Sequence, residues 1–239
     1  MVRHSNPLPR HALRGFSLIE LMISMLVLLT VTAAIFEQIS RMQKKSASEA
    51  VKLDLHQQAR EFVAQTVRDL HMAGYPNISM YAPTATDVSK VAAGLVSVSP
   101  TSILMEGDVN NDGNVYSVLI SYVAADPNDP NCPCVRRGAV AKIPADSLSQ
   151  PIASSYSETQ NVLPPGIGAG LAGEDLFTYY TKDGIPVDVG AGTDINTDPT
   201  KIASISTVRI NLTLLSNAGD LENGGSMGAS LSGTAKVGH

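Results

Sequence analysis

Four short stretches hold the residues whose types and spacing could do chemistry. In Arg14-Gly15-Phe16-Ser17-Leu18-Ile19-Glu20 a glycine precedes an apolar run whose one charge is Glu20. Without a side chain at Gly15, the backbone can enter a narrow protease cleft at no steric cost. Asp108, Asn110 and Asp112 alternate ahead of Gly113, as oxygen ligands do in the first half of a calcium loop. Cys132 and Cys134 flank Pro133, and Ser226 lies in Gly224-Gly225-Ser226-Met227-Gly228, a match to the G-x-S-x-G pattern of a hydrolase nucleophile.

Three of the four weaken on inspection. The twelfth position of the acidic loop is Leu119, where calcium needs a bidentate Glu, so the stretch reads as a hairpin turn and no metal is expected. No Asp or Glu follows Ser226, and the only His after it is His239, so the acid and base of a hydrolase are missing in the expected order and a membrane-anchored serine hydrolase is a poor fit. With no second Cys or His pair near Cys132 and Cys134, zinc is not expected. A local disulfide, two free thiols and intermolecular pairing stay open, the local bridge being preferred. His56 and His71 are too far apart on one helix to act together, and no phosphate loop or zinc-protease His pair occurs. Neither an enzyme nor a cofactor is expected.

Glu20 is different because of what positions it. Phe16 to Phe36 is a run of 21 residues with no other charge, long enough at about 1.5 Å per residue to cross a hydrocarbon core of about 30 Å. Arg3, Arg10 and Arg14 precede it with no acid among residues 1–15, which keeps that end cytoplasmic and places the rest outside. A secretory signal would be cleaved beyond the apolar run, as at Thr32-Ala33-Ala34, whereas here the marked junction precedes it. An unpaired carboxylate in lipid costs several kcal/mol, so Glu20 needs a partner or must reach the headgroups.

The stretch Arg14 to Met22 resembles the prepilin signal of type IV pilins and type II secretion pseudopilins. That resemblance implies a leader over 1–15, cleavage between Gly15 and Phe16 by a prepilin peptidase, N-methylation of Phe16, and pairing of Glu20 with the Phe16 ammonium of a neighbouring subunit during assembly. Farther on, Arg68-Asp69-Leu70-His71-Met72-Ala73-Gly74-Tyr75 is similar to the stretch that closes the long helix in PilW minor pilins, relatives of the J-type minor pseudopilin. Glu37 stands where many major pilins carry Pro.

Between these motifs, Ile39, Met42, Val51, Leu53, Ala59, Phe62, Val63, Thr66, Leu70 and Ala73 recur mostly at three- and four-residue steps, predicting an amphipathic helix. One helix is expected over 16–74, membrane-spanning over 16–36 and amphipathic over 37–74, with a possible break at Gln43 to Ser48. Gly74 supplies a left-handed C-cap and Pro76 prevents resumption.

The rest, 75–239, reads as strands and turns. Thr101–Glu106 and Val115–Val123 flank the acidic loop, Leu176–Tyr180 and Ile185–Val189 flank Lys182-Asp183-Gly184, Val208 to Leu214 alternate apolar and polar, and a last strand covers Ala229–Val237. These pieces too resemble PilW. Segments 124–172 and 190–200 are rich in Gly, Pro and Asp and are expected as loops. The expected fold is α+β: a long N-terminal helix packed on an antiparallel sheet, in the lollipop form of pilins.

Removing 1–15 leaves 14 basic against 22 acidic residues, without the broad positive field of non-specific DNA binding, so no nucleic acid partner is expected. The resemblance implies a minor pilin that initiates or caps a pilus at the bacterial inner membrane, its globular part periplasmic. Its partners would be other pilins, the prepilin peptidase and the assembly platform. A type II secretion pseudopilin and a DNA-uptake pilus subunit are the alternatives.

Overall fold

The computed structural model describes residues 17–77, 88–127, 132–142, 156–159, 175–191, 195–219 and 226–238. Helix α1 runs from Leu18 to Met72, through 43–48 without a break. The chain divides into two compact units, Met1–Ala47 and Ser48–His239. In the first, residues 18–47 are helical and exposed on every face. In the second, Ser48, Leu55, Ala59, Phe62, Val63, Thr66, Asp69 and Leu70 are buried. Their three-, four- and seven-residue spacing puts them on one stripe of the helix.

The end of α1 is built from close backbone contacts. Gly74 takes φ +79° and donates its N–H to Glu106 O at 2.9 Å, the left-handed stop expected there. Ala73 forms an antiparallel bridge with Gly107. A Cβ on Gly107 would fall on the Met72 carbonyl oxygen, and one on Gly238 would lie 2.7 Å from Ala73 O. Absent side chains thus let two other segments close over the helix end.

Five strands form one antiparallel sheet in chain order: β1 (Gly94–Val98), β2 (Ser102–Gly107), β3 (Tyr116–Val123), β4 (Cys134–Ala141) and β5 (Tyr156–Thr159). β2 and β3 are the hairpin expected around the acidic loop, with Met105 opposite Val118 and Ile103 opposite Ile120. The other sheet, also antiparallel, is β6 (Phe177–Tyr180), β7 (Thr207–Gly219) and β8 (Ser226–Lys236). In β7, Val208, Ile210, Leu212 and Leu214 are fully buried, as their alternation predicts. The buried face of α1 within this unit joins these side chains and Phe177 and Tyr179 in one apolar core. Each large aliphatic or aromatic side chain so buried contributes about 1.5–3 kcal/mol.

The architecture is α+β, a long N-terminal helix followed by antiparallel sheets, with the sheet divided in two. Three expectations need correction. Segment 124–172 is not all loop, since β4 and β5 lie within it, β4 pairing along all of β3. The Arg136-Arg137-Gly138 run hides the alternation of a strand whose charges meet acids instead of water. In 190–200, Asn196 bridges Val98 and Pro199 starts a short helix α2 (Pro199–Ser204), capped by the Asp198 carboxylate accepting from Thr200 N at 2.9 Å. After the turn at Lys182-Asp183-Gly184, residues 185–189 do not form a strand. Tyr180 makes a single bridge to Pro186, which has no N–H to continue a ladder.

Candidate functional site

The apolar half of α1 is the first candidate. Gly15 and Phe16, the expected cleavage and methylation residues, lie outside the described residues. Ser17 O accepts the N–H groups of Glu20 at 3.0 Å and Leu21 at 3.2 Å, opening the helix. Glu20 stands in its first turn, where the helix dipole favours a carboxylate. Downstream, every polar side chain to Thr32 is satisfied within the helix: Ser24 donates to Leu21 O at 2.9 Å, Thr30 to Val27 O at 2.9 Å and Thr32 to Leu28 O at 2.5 Å. Glu20 alone has no such outlet among the described residues.

The same segment has mean hydropathy 2.4 and is unburied within the chain. Leu18, Ile19, Leu26, Leu28, Leu29 and Phe36 are each more than 60% exposed. Apolar surface on all sides of a helix is compatible with lipid or with other helices, not with water.

Against family models, residues 10–36 match the prokaryotic N-terminal methylation motif. The chain carries a prepilin-type methylation motif. That motif supports a type IV pilin or pseudopilin assignment, with inner-membrane anchoring consistent with the apolar helix. No curated protein and no solved structure matches the chain.

Downstream of the methylation motif, the stretch 68–75 closes α1. Leu70 and Ala73 are fully buried, and Tyr75 O accepts from Asp108 N at 2.8 Å. Asp69, on the buried face, receives Arg137 Nε on Oδ2 at 2.5 Å and Nη2 on Oδ1 at 3.1 Å. Burial raises the Asp69 carboxyl above its ordinary value, opposed by the Arg137 hydrogen bond and charge. A second buried pair joins Lys142 Nζ to Glu106 Oε2 at 2.7 Å, with Ala93 N donating to the same oxygen at 2.9 Å. Sequence reading missed both basic partners, because each lies in the segment expected as loop or at its strand's end. That a basic residue faces a buried acid can be read only with the sheet register known.

The acidic loop spends its oxygens on itself. Asp108 accepts from Asp112 N at 3.0 Å and Gly113 N at 2.9 Å. Asp112 accepts from Asn114 N at 2.9 Å and Tyr116 Oη at 2.7 Å, and these bonds, Tyr116 first, lower its carboxyl below the ordinary value. Carboxylates turned onto turn N–H groups make a hairpin cap. Among the described residues no group of three or more His, Cys, Asp or Glu is placed to hold a metal.

Cys132 and Cys134 are joined by a disulfide, and the buried Cys134 opens β4 opposite Val123. The backbone of Ser226 opens β8 opposite Gly219. Its side chain and His239 lie outside the described residues. His56 and His71 are exposed on α1.

Proposed function

We propose that the protein is a PilW-like minor type IV pilin, not an enzyme, that helps initiate or cap a pilus at the inner membrane. A prepilin peptidase cuts between Gly15 and Phe16 and the new terminus is methylated. The apolar part of α1 then holds the subunit in the membrane, with Ser48–His239 on the periplasmic side, until the assembly platform passes it to other pilins. The observation that carries this reading is the match of residues 10–36 to the methylation motif, whose helical part is unburied and apolar with Glu20 as its one charge. Cleavage creates the Phe16 ammonium, and Glu20 of the adjoining subunit is the group to receive it, removing two charges from the apolar surroundings as a pair.

Mass spectrometry of the mature amino terminus tests the processing. A start at N-methyl-Phe16 is expected, and a start near residue 35 would identify a secreted protein cut by another peptidase. Glu20→Ala should be cleaved normally yet enter filaments poorly; normal incorporation would remove the pairing role. Deletion, scored separately for surface filaments, secreted enzymes and DNA uptake, separates a pilus subunit from a secretion pseudopilin or an uptake pilin. Loss of secretion with intact pili would overturn the pilus assignment.

A further inference from the structure

Two strand edges of the Ser48–His239 unit are open, and they complement each other. The first belongs to β8, the last strand of its sheet. Val237 N donates to Ser206 O, and Asn211 N donates to Leu176 O. With the β7–β8 register, this turns the N–H and C=O groups of Gly228, Ser230, Ser232, Thr234 and Lys236 away from β7. Among the described residues no backbone group meets them on that side. β8 has no proline, no bulge over 228–236 and one charge, at Lys236, so little blunts this edge against pairing.

The second edge is that of β1, the end strand of the five-stranded sheet. Asn196 lies on its outer side, with Val98 N donating to Asn196 O at 3.1 Å and Asn196 N to Val98 O at 2.8 Å. The pairing stops after this one antiparallel bridge, because Asp198 and Pro199 turn the chain into α2. An open groove of about 380 Å³ is left between Gly94, Leu95 and Val96 of β1 and Ile202 and Ala203 of α2, and no acid or base lines it. An edge that already accepts one extended residue, beside an uncharged groove, fits a strand of small, uncharged residues. Gly228-Ala229-Ser230-Leu231-Ser232-Gly233-Thr234-Ala235 of β8 is such a strand.

We propose that the outer edge of β8 in one copy of this chain pairs antiparallel with the outer edge of β1 in a second copy, in the groove beside α2. Direction decides between this and the pairing of like edges. β8 runs with α1, since Gly233 lies against Val63 and Val67 and Gly238 against His71 and Ala73. β2 runs with it too: Ile103 is level, through Ile120, with Arg137, which holds Asp69, and Gly107 lies on Met72. β1 is antiparallel to β2 and runs against α1. Joining β8 to β8, or β1 to β1, in antiparallel would reverse helix 63–72 of one copy relative to the other. Joining β8 to β1 keeps both helices pointing the same way, as copies leaving one membrane require; in that requirement alone the inference rests on the pilin reading. The two edges differ, so the contact is head-to-tail, and the two Lys236 side chains never face each other.

The test puts photo-crosslinking p-benzoylphenylalanine in place of Ser232 in the full chain in its own membrane, beside a second copy with a different tag. Mass spectrometry identifies the joined peptides. The expected adduct links the two copies, with attachment in 93–98 or Pro199–Ser204 of the second. Thr234→Pro removes an outward N–H and no bond to β7, and Ala203→Glu sets a carboxylate in the uncharged groove. Each should lower the yield about tenfold, the first only in the crosslinker copy and the second only in its partner. Thermal melting verifies the fold of both variants, and Ala203, exposed on α2, keeps the test decisive if Thr234→Pro unfolds. An adduct within one chain, between two β8 strands or with a different protein, yield indifferent to Ala203→Glu, or no adduct each overturns the proposal. The mature amino terminus is read on the same sample: a start other than Phe16 defeats the pilin reading, whereas a start at Phe16 without the β8–β1 adduct defeats only the edge pairing.

Discussion

Asp69 of α1 and Arg137 of β4 form a two-bond ion pair with only 5% and 13% of their side chains exposed. Sixty-eight residues separate them, so the contact exists only once β4 lies beside β3 and under the helix. Burial raises the Asp69 carboxyl despite the guanidinium against it, so desolvation outweighs the attraction. The pair ties α1 to β4.

Breaking it from one side should therefore be worse than removing it. Arg137→Met leaves a buried carboxylate and should cost about 3–5 kcal/mol. Combining it with Asp69→Leu should recover most of that loss. Urea midpoints of the two single variants and the double variant check this, and a double variant weaker than either single one would contradict it.

The pH dependence has a definite sign. A carboxyl raised in the folded state above its ordinary 3.8 contributes stability that is fully present below the unfolded value and is lost as pH rises through the folded one. Arg137 holds that rise in check, so Arg137→Met raises the carboxyl further. The deficit of the variant should be smallest below pH 3.8 and widen toward neutrality. Denaturation midpoints for variant and parent between pH 3 and 7 measure it; a deficit that grows on acidification has the wrong sign.

Gly107 and Gly113 separate steric from conformational need. A methyl on Gly107 would strike the Met72 carbonyl, which is backbone and cannot rotate away, so Gly107→Ala should cost about 1–3 kcal/mol or more by overpacking. Gly113 has φ +81° with open space around its missing Cβ, and Gly113→Ala should cost about 1–2 kcal/mol through strain alone. In the first variant the cis-acting contact is at the helix end, so hydrogen exchange should rise at Gly74 N; in the second it should not.

The acidic loop should behave as a turn. Asp108→Ala strands two backbone N–H groups and should cost about 1–2 kcal/mol. Added calcium should give no heat in calorimetry and no rise in melting temperature, and a calcium-dependent rise lost in Asp108→Ala would restore the metal reading.

Much was decided by the sequence by itself, because the relevant physics is local. A long run with one charge makes an apolar helix whatever follows it, Gly74 stops that helix by backbone freedom alone, and the period-two pattern of Val208 to Leu214 marks its buried face without reference to a partner. The methylation motif over residues 10–36 is read along the chain and needs no fold. Tertiary structure decided what depends on pairing between distant segments. The register of β4 on β3 brought Arg137 to Asp69 and Lys142 toward Glu106, turning residues that look like loop charges into buried ones. The same packing made Gly107 and Gly238 sites of backbone contact and assembled the groove between β1 and α2, since a surface shared by distant segments has no periodicity of its own to reveal it.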